Sequence, residues 1–102
     1  MGEYRLSRQT EADLLAIWRW GASHFSPEVA DTHLRDIDRA ASNLTEFPEA
    51  GVARDQLVAG VRSIVVYPTV IFYRITTAAI EIVRVVDGRR NLAALFPSDR
   101  SD

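Results

Sequence analysis

Five residues near the end of the chain carry most of the chemistry this sequence offers. Arg62 and Arg84 sit inside β-patterned runs, and Asp87, Arg89 and Arg90 bracket Gly88. A guanidinium is a planar fork that grips carboxylate or phosphate through paired N–H bonds, so the set suits an acidic peptide or a phosphate backbone. The plainer role is structural. Ile64 lies two residues from Arg62, and Ile82 and Val86 flank Arg84 at the same spacing, so both stems could lie along a core edge with the charge in water. Other reactive types are missing or scattered. There is no cysteine; His24 and His33 have no third ligand at metal-site spacing; and Gly51, Gly60 and Gly88 are isolated, not a phosphate loop. The serines lack a Gly-x-Ser-x-Gly setting, and the acidic residues are spread over helix surfaces. No catalytic residue, metal site or cofactor is expected.

The arginines are positioned by three runs rich in β-branched and aromatic residues, at 61–67, 70–76 and 79–87, with turns at 68–69 and 77–78. Two-residue loops would make an antiparallel meander. Alternation then puts Arg62, Ile64, Val66, Ile71, Tyr73, Ile75, Ile80, Ile82, Arg84 and Val86 on one face. Val61, Ser63, Val65, Tyr67, Val70, Phe72, Arg74, Glu81, Val83 and Asp87 fall on the other, with Arg74 opposite Glu81.

Upstream, residues 3–6 alternate as a short strand, with Tyr4 and Leu6 inward. Ser7, or Thr10 with Asp13, caps a first helix starting between 8 and 11 and ending between 21 and 24, with Leu14, Ile17, Trp18 and Gly21 as its apolar stripe. Ser26-Pro27-Glu28 starts a second helix running to about 47, with Leu34, Ile37, Ala41 and Leu44 along one seam. Pro48 and Gly51 stop it, and residues 48–59 form the linker that holds Arg54. Trp20 points away from Trp18 on the first helix and suggests a partner surface. The expected architecture is α+β in two layers: a short N-terminal strand, an antiparallel two-helix hairpin and a three-stranded antiparallel meander.

At 102 residues, with 47% hydrophobic and 25% charged content, one domain over 1–102 is expected, with a tail from 91 that can stay flexible. Net charge is −2, so no basic field points to direct nucleic-acid binding, yet all 12 basic residues are arginine. No signal peptide or membrane-spanning run is visible, and the lack of cysteine fits a reducing cytoplasm.

Six segments resemble one family in order and spacing: LSRQTEADLLAIW at 6–18, FSPEVA at 25–30, LTEFPEAG at 44–51, GVRSIVV at 60–66, VIFYR at 70–74 and IEIVRVVDGRR at 80–90. Together they resemble the ParE branch of the ParE/RelE toxin superfamily. The resemblance implies a bacterial type II toxin that inhibits DNA gyrase, is neutralised by a small ParD-like acidic antitoxin encoded beside it, and forms a hetero-oligomer with that antitoxin. RNA-cleaving relatives need several basic residues on the first two meander strands to neutralise phosphate. Here only Arg62 remains on the first, and Ile64 and Val70 fill two other such positions. No tyrosine or histidine follows Arg90. Target contacts are expected at Arg62, Arg84, Asp87, Arg89, Arg90, Leu95 and Phe96, the last two from an apolar tail at 91–96. Antitoxin contacts are expected at Trp20, Leu34, Ile37, Ala41, Leu44 and Arg74. The alternatives are a RelE-type ribosome-dependent endoribonuclease using Arg62, Arg84 and Arg89, or an attenuated toxin that only binds its antitoxin. Asp87, where many members carry histidine, is the mark of the latter.

Overall fold

The computed structural model describes residues 3–88. In chain order they form β1 (Tyr4–Leu6), α1 (Arg8–His24), α2 (Pro27–Leu44), β2 (Val52–Ala53), β3 (Val61–Val66), β4 (Thr69–Ile75) and β5 (Ile80–Asp87). The two helices lie against a five-stranded sheet of order β1-β5-β4-β3-β2. The meander forms its centre. β1 runs parallel to β5 on one edge, and the two-residue β2, read as linker in the sequence, pairs antiparallel with β3 on the other.

Both helices begin where their caps place them. Ser7 Oγ accepts from Thr10 N–H at 3.0 Å, and Ser26 Oγ accepts from Val29 N–H at 3.1 Å with Pro27 in the first turn. α2 stops three residues short of the expected end, because Thr45 N–H and its hydroxyl both turn back to the Ser42 carbonyl. Where the hairpin closes, Gly21 meets Ala30 closely enough that an added Cβ would stand 3.4 Å from the Ala30 methyl.

Ser7 and Thr10 also dock α1 on the sheet. Ser7 N–H and the Thr10 hydroxyl both donate to the Ile82 carbonyl, at 3.1 and 2.8 Å, and Ser7 Oγ donates to the Val83 carbonyl at 3.1 Å. Thr10 is wholly buried, a threonine retained in the interior because it is hydrogen-bonded.

Two features of the meander differ from the alternation expected of the sequence. The β3–β4 loop is Tyr67-Pro68, with a cis peptide between them, rather than 68–69, so Ile64 pairs with Ile71 and Arg62 with Tyr73. Thr69 closes this turn through its hydroxyl, which donates to the Val66 carbonyl at 2.7 Å. The shift is two residues, so faces are kept while partners change. The β4–β5 turn is as expected, with Arg74 opposite Glu81. Beyond it a bulge leaves Val83 without a partner of its own, since Tyr73 pairs with Ile82 and Phe72 with Arg84. The extra residue inverts the remaining alternation. Val85 joins the helix-side core and Val86 the opposite face, the reverse of the two-loop expectation.

The main core gathers Ile37, Ala41 and Leu44 from α2 with Ile71, Tyr73, Ile80, Ile82 and Val85 from the sheet. On the far face Val61, Val70, Phe72 and Val86 cluster with Leu57 and Val58 of the linker. Gly51 fits at the start of β2 only because it lacks a side chain: a Cβ there would lie 2.6 Å from Tyr73 Oη and 2.8 Å from the Ser63 carbonyl. Of the inward pair expected in β1, Tyr4 packs on the core but Leu6 is over one-third exposed at the sheet edge.

Candidate functional site

A groove of about 700 Å³ opens between the hairpin end of the helices and the β3–β4 turn. α1 supplies one wall through Ile17, Trp20 and Gly21; α2 supplies another through Val29, Thr32 and His33; Tyr67, Pro68 and the end of β5 close it. Its lip is aromatic. Trp20 is half exposed, stacks on His24 at 4.1 Å between ring centroids and meets Phe25 edge-on at 5.7 Å. Phe25 and Tyr67 are 67% and 81% exposed, so three large rings converge on water at one end of the molecule.

The polar groups around the groove are sorted by partner. His33 Nε2 lies 3.2 Å from the Thr69 hydroxyl, and burial pushes the imidazole below its ordinary pKa, partly offset by the Asp36 charge. Asp13 is buried at the groove's inner end and held by Arg84, with Nε to Oδ2 at 2.8 Å and Nη2 to Oδ1 at 3.1 Å. Val85 N–H donates to the same Oδ2 at 3.0 Å. Glu28, Asp36 and Asp87 also line the groove, and among the described residues no arginine does.

This arrangement redistributes the residues expected to make contacts. Trp20 lines the groove. Ile37, Ala41 and Leu44 do not: each is 5% exposed or less and faces the domain's own sheet, with Leu34 packed beside them. An apolar seam on an amphipathic helix is first claimed by the core under it, and here Leu34, Ile37 and Ala41 keep only a small second cavity of about 190 Å³, shared with Leu14 of α1 and Tyr4. Arg74 forms an exposed pair with Glu81 at 3.4 Å, outside the groove.

The arginine candidates do not converge among the described residues. Arg62 donates through Nη1 to the Gly51 carbonyl at 2.7 Å, pinning the linker that carries β2. Arg84 is occupied by Asp13, and β4 lies between their strands. Asp87 ends β5 beside the groove. Arg89, Arg90, Leu95 and Phe96, with the rest of the 91–96 segment, lie outside the described residues. Sequence reading missed Asp13, Phe25, Val29 and Tyr67; only the two aromatics, each beside a helix end or turn, carried a signal. Among the described residues no cluster of three potential metal ligands occurs, and no helix is long and apolar enough to cross a membrane.

A helix hairpin over an antiparallel meander, with a parallel N-terminal edge strand, is the two-layer fold of the ParE/RelE-type toxins. Residues 4–92 match the family described as the ParE toxin of the type II toxin-antitoxin system parDE. Toxins ParE3 and ParE1 of Caulobacter vibrioides are each 33% identical to this chain over 94 residues, covering 92% of it and 94% and 97% of their own lengths. Toxin ParE1 of Mycobacterium tuberculosis is 33% identical over 90 residues, 87% of this chain and 92% of the relative. A solved structure titled as the chromosomal ParDE system from P. aeruginosa superposes with a TM-score of 0.72 at 27% identity, covering 85% of this chain and 96% of that one. The chain therefore belongs to the ParE toxin family, and it is a ParE-type toxin of a type II toxin-antitoxin system.

Proposed function

We propose that this toxin acts without catalysis, by binding and inhibiting DNA gyrase in the cytoplasm, and that an antitoxin encoded beside it holds it inactive by seating an amphipathic segment in the groove at the hairpin end. The observation that carries the antitoxin reading is the aromatic-lipped groove itself. Trp20, Phe25 and Tyr67 expose large apolar surfaces around one cavity, the kind of patch that marks a protein interface. A permanent inhibitory complex of this type buries on the order of 2,000 Å² or more, so the segment would extend beyond the groove.

The gyrase reading is supported by family membership and by what the sheet lacks for phosphate chemistry. Ile64 and Val70 stand where charge would be needed, and the guanidinium groups of Arg62 and Arg84 are engaged by the Gly51 carbonyl and Asp13. Arg89, Arg90, Leu95 and Phe96 are the proposed target contacts, with Asp87 at their root. Two assays on the purified toxin test the proposal: gyrase supercoiling, and primer extension on translated mRNA. Inhibited supercoiling with intact mRNA is expected. Ribosome-dependent cuts with supercoiling untouched would overturn the reading in favour of an endoribonuclease. Neither effect, with tight antitoxin binding, would identify an attenuated toxin.

A further inference from the structure

The groove is apolar at its walls and acidic at its rim, and this constrains what can fill it. Glu28 and Asp36 stand on the α2 side, both from a helix whose outer surface is open to solvent. Among the described residues Asp36 pairs with Arg39, in an exposed contact at 3.3 Å that contributes little and is easily exchanged. His33 between them is held toward its neutral form by burial and adds no lasting positive charge. Among the described residues no arginine lines the groove, in a chain whose 12 basic residues are all arginine. An acidic segment entering here would meet like charge, and a neutral one would leave the rim unmatched.

The backbone narrows the choice further. Strand addition needs free N–H and C=O groups along an edge. Past the end of β1, the exposed side of β5 is already engaged, with the Val83 carbonyl held by Ser7 Oγ and Val85 N–H by Asp13. The remaining walls are the two helices and the Tyr67-Pro68 turn, which offer side chains and not a ladder.

We infer that the groove receives a locally basic amphipathic helix of the antitoxin, its apolar stripe against Trp20 and Val29 and its arginine or lysine side chains paired with Glu28 and Asp36. The inference rests on the docking reading above and adds the chemistry of the occupant: an antitoxin that is acidic overall must carry a cationic stretch here.

Two synthetic helical peptides test it against the full chain. Both carry leucine and tryptophan at i, i+3, i+4 and i+7; one is flanked by arginine, the other by glutamate. The Trp20 indole and His33 ring signals report binding by NMR. The arginine peptide is expected to bind at least about tenfold more tightly at low salt, with the gap closing as salt is raised. A Glu28→Arg, Asp36→Arg double variant should invert the preference. Equal affinities, or no binding by either peptide while the neighbour-encoded antitoxin shifts Trp20, would overturn the basic-helix inference and leave the docking reading standing. An antitoxin that binds tightly without moving either signal would overturn the docking reading as well.

Discussion

Arg84 and Asp13 form a two-pronged ion pair, 18% and 9% exposed, that ties β5 to the middle of α1. The same carboxylate accepts from Val85 N–H, an edge group of β5 beyond the reach of β1, so Asp13 holds the strand by backbone and side chain together. Removing one member leaves the other charge largely out of water. Arg84→Ala should therefore cost roughly 2–4 kcal/mol of folding stability, read from the midpoint of urea unfolding. A double-mutant cycle with Asp13→Ala should recover much of that as coupling. Unchanged stability combined with weaker gyrase inhibition would instead return Arg84 to the target surface.

Trp20 is the anchor candidate of the groove. Trp20→Ala should weaken antitoxin binding by roughly 2 kcal/mol or more, measured by calorimetry, while shifting the melting temperature little, because half of the side chain is already exposed. A large drop in melting temperature with unchanged affinity would make it a structural residue.

Tyr73 carries a buried hydroxyl that donates to the Pro48 carbonyl at 2.6 Å and accepts from Gly51 N–H at 2.9 Å. Tyr73→Phe should destabilise the fold by roughly 1–3 kcal/mol by leaving both backbone groups unmatched. Faster amide exchange at Gly51 and Val52 should accompany the loss, because the same hydroxyl orders the approach to β2.

His33 sets an acid limit. The unfolded chain protonates histidine around its ordinary value of 6.5, whereas burial holds His33 below that in the folded protein. As pH falls below 6.5 the unfolded state takes up the proton first, so stability declines with acid until the folded ring titrates too. His33→Gln should flatten that part of the pH–stability curve, and a curve identical to that of the unsubstituted chain would exclude the histidine as its source.

Tyr4 sets an alkaline limit. Burial, together with a hydrogen bond to Asp38 and the charge of that carboxylate, pushes its phenol from 10.0 up to about 12. Between those values the unfolded chain releases the proton and the folded chain does not, so stability is lost as pH rises through that window. The phenolate absorbance of the folded protein should show one tyrosine titrating late, and Tyr4→Phe should remove it.

The elements were legible because their signals are local. Ser7 and Ser26-Pro27 mark helix starts, β-branched runs mark strands, and Thr77-Ala78 marks a turn with the right register. What escaped was non-local. The bulge at Val83 lies beside the Ile82 carbonyl on which Ser7 and Thr10 dock from some seventy residues away, a contact that no window around Val83 contains. β2 has two residues and exists because Gly51 tolerates Tyr73. The groove at the hairpin end escaped for a related reason. Helical periodicity reveals that Ile37, Ala41 and Leu44 share a face, but not whether the sheet beneath takes all of it.

The pairing of β1 with β5 joins Tyr4 to Ile80 and Leu6 to Ile82, nearly the greatest sequence separation among the described residues. Synthesis from the N-terminus thus exposes β1 and the capped start of α1 long before the strand that completes them has been made. Closing that span is also the slowest kind of contact to form. A nascent chain stopped before Ile80 has no partner for β1 and no carbonyl for Thr10. The sheet edge and the docking of α1 are therefore completed only once β5 has been made, so the fold closes late.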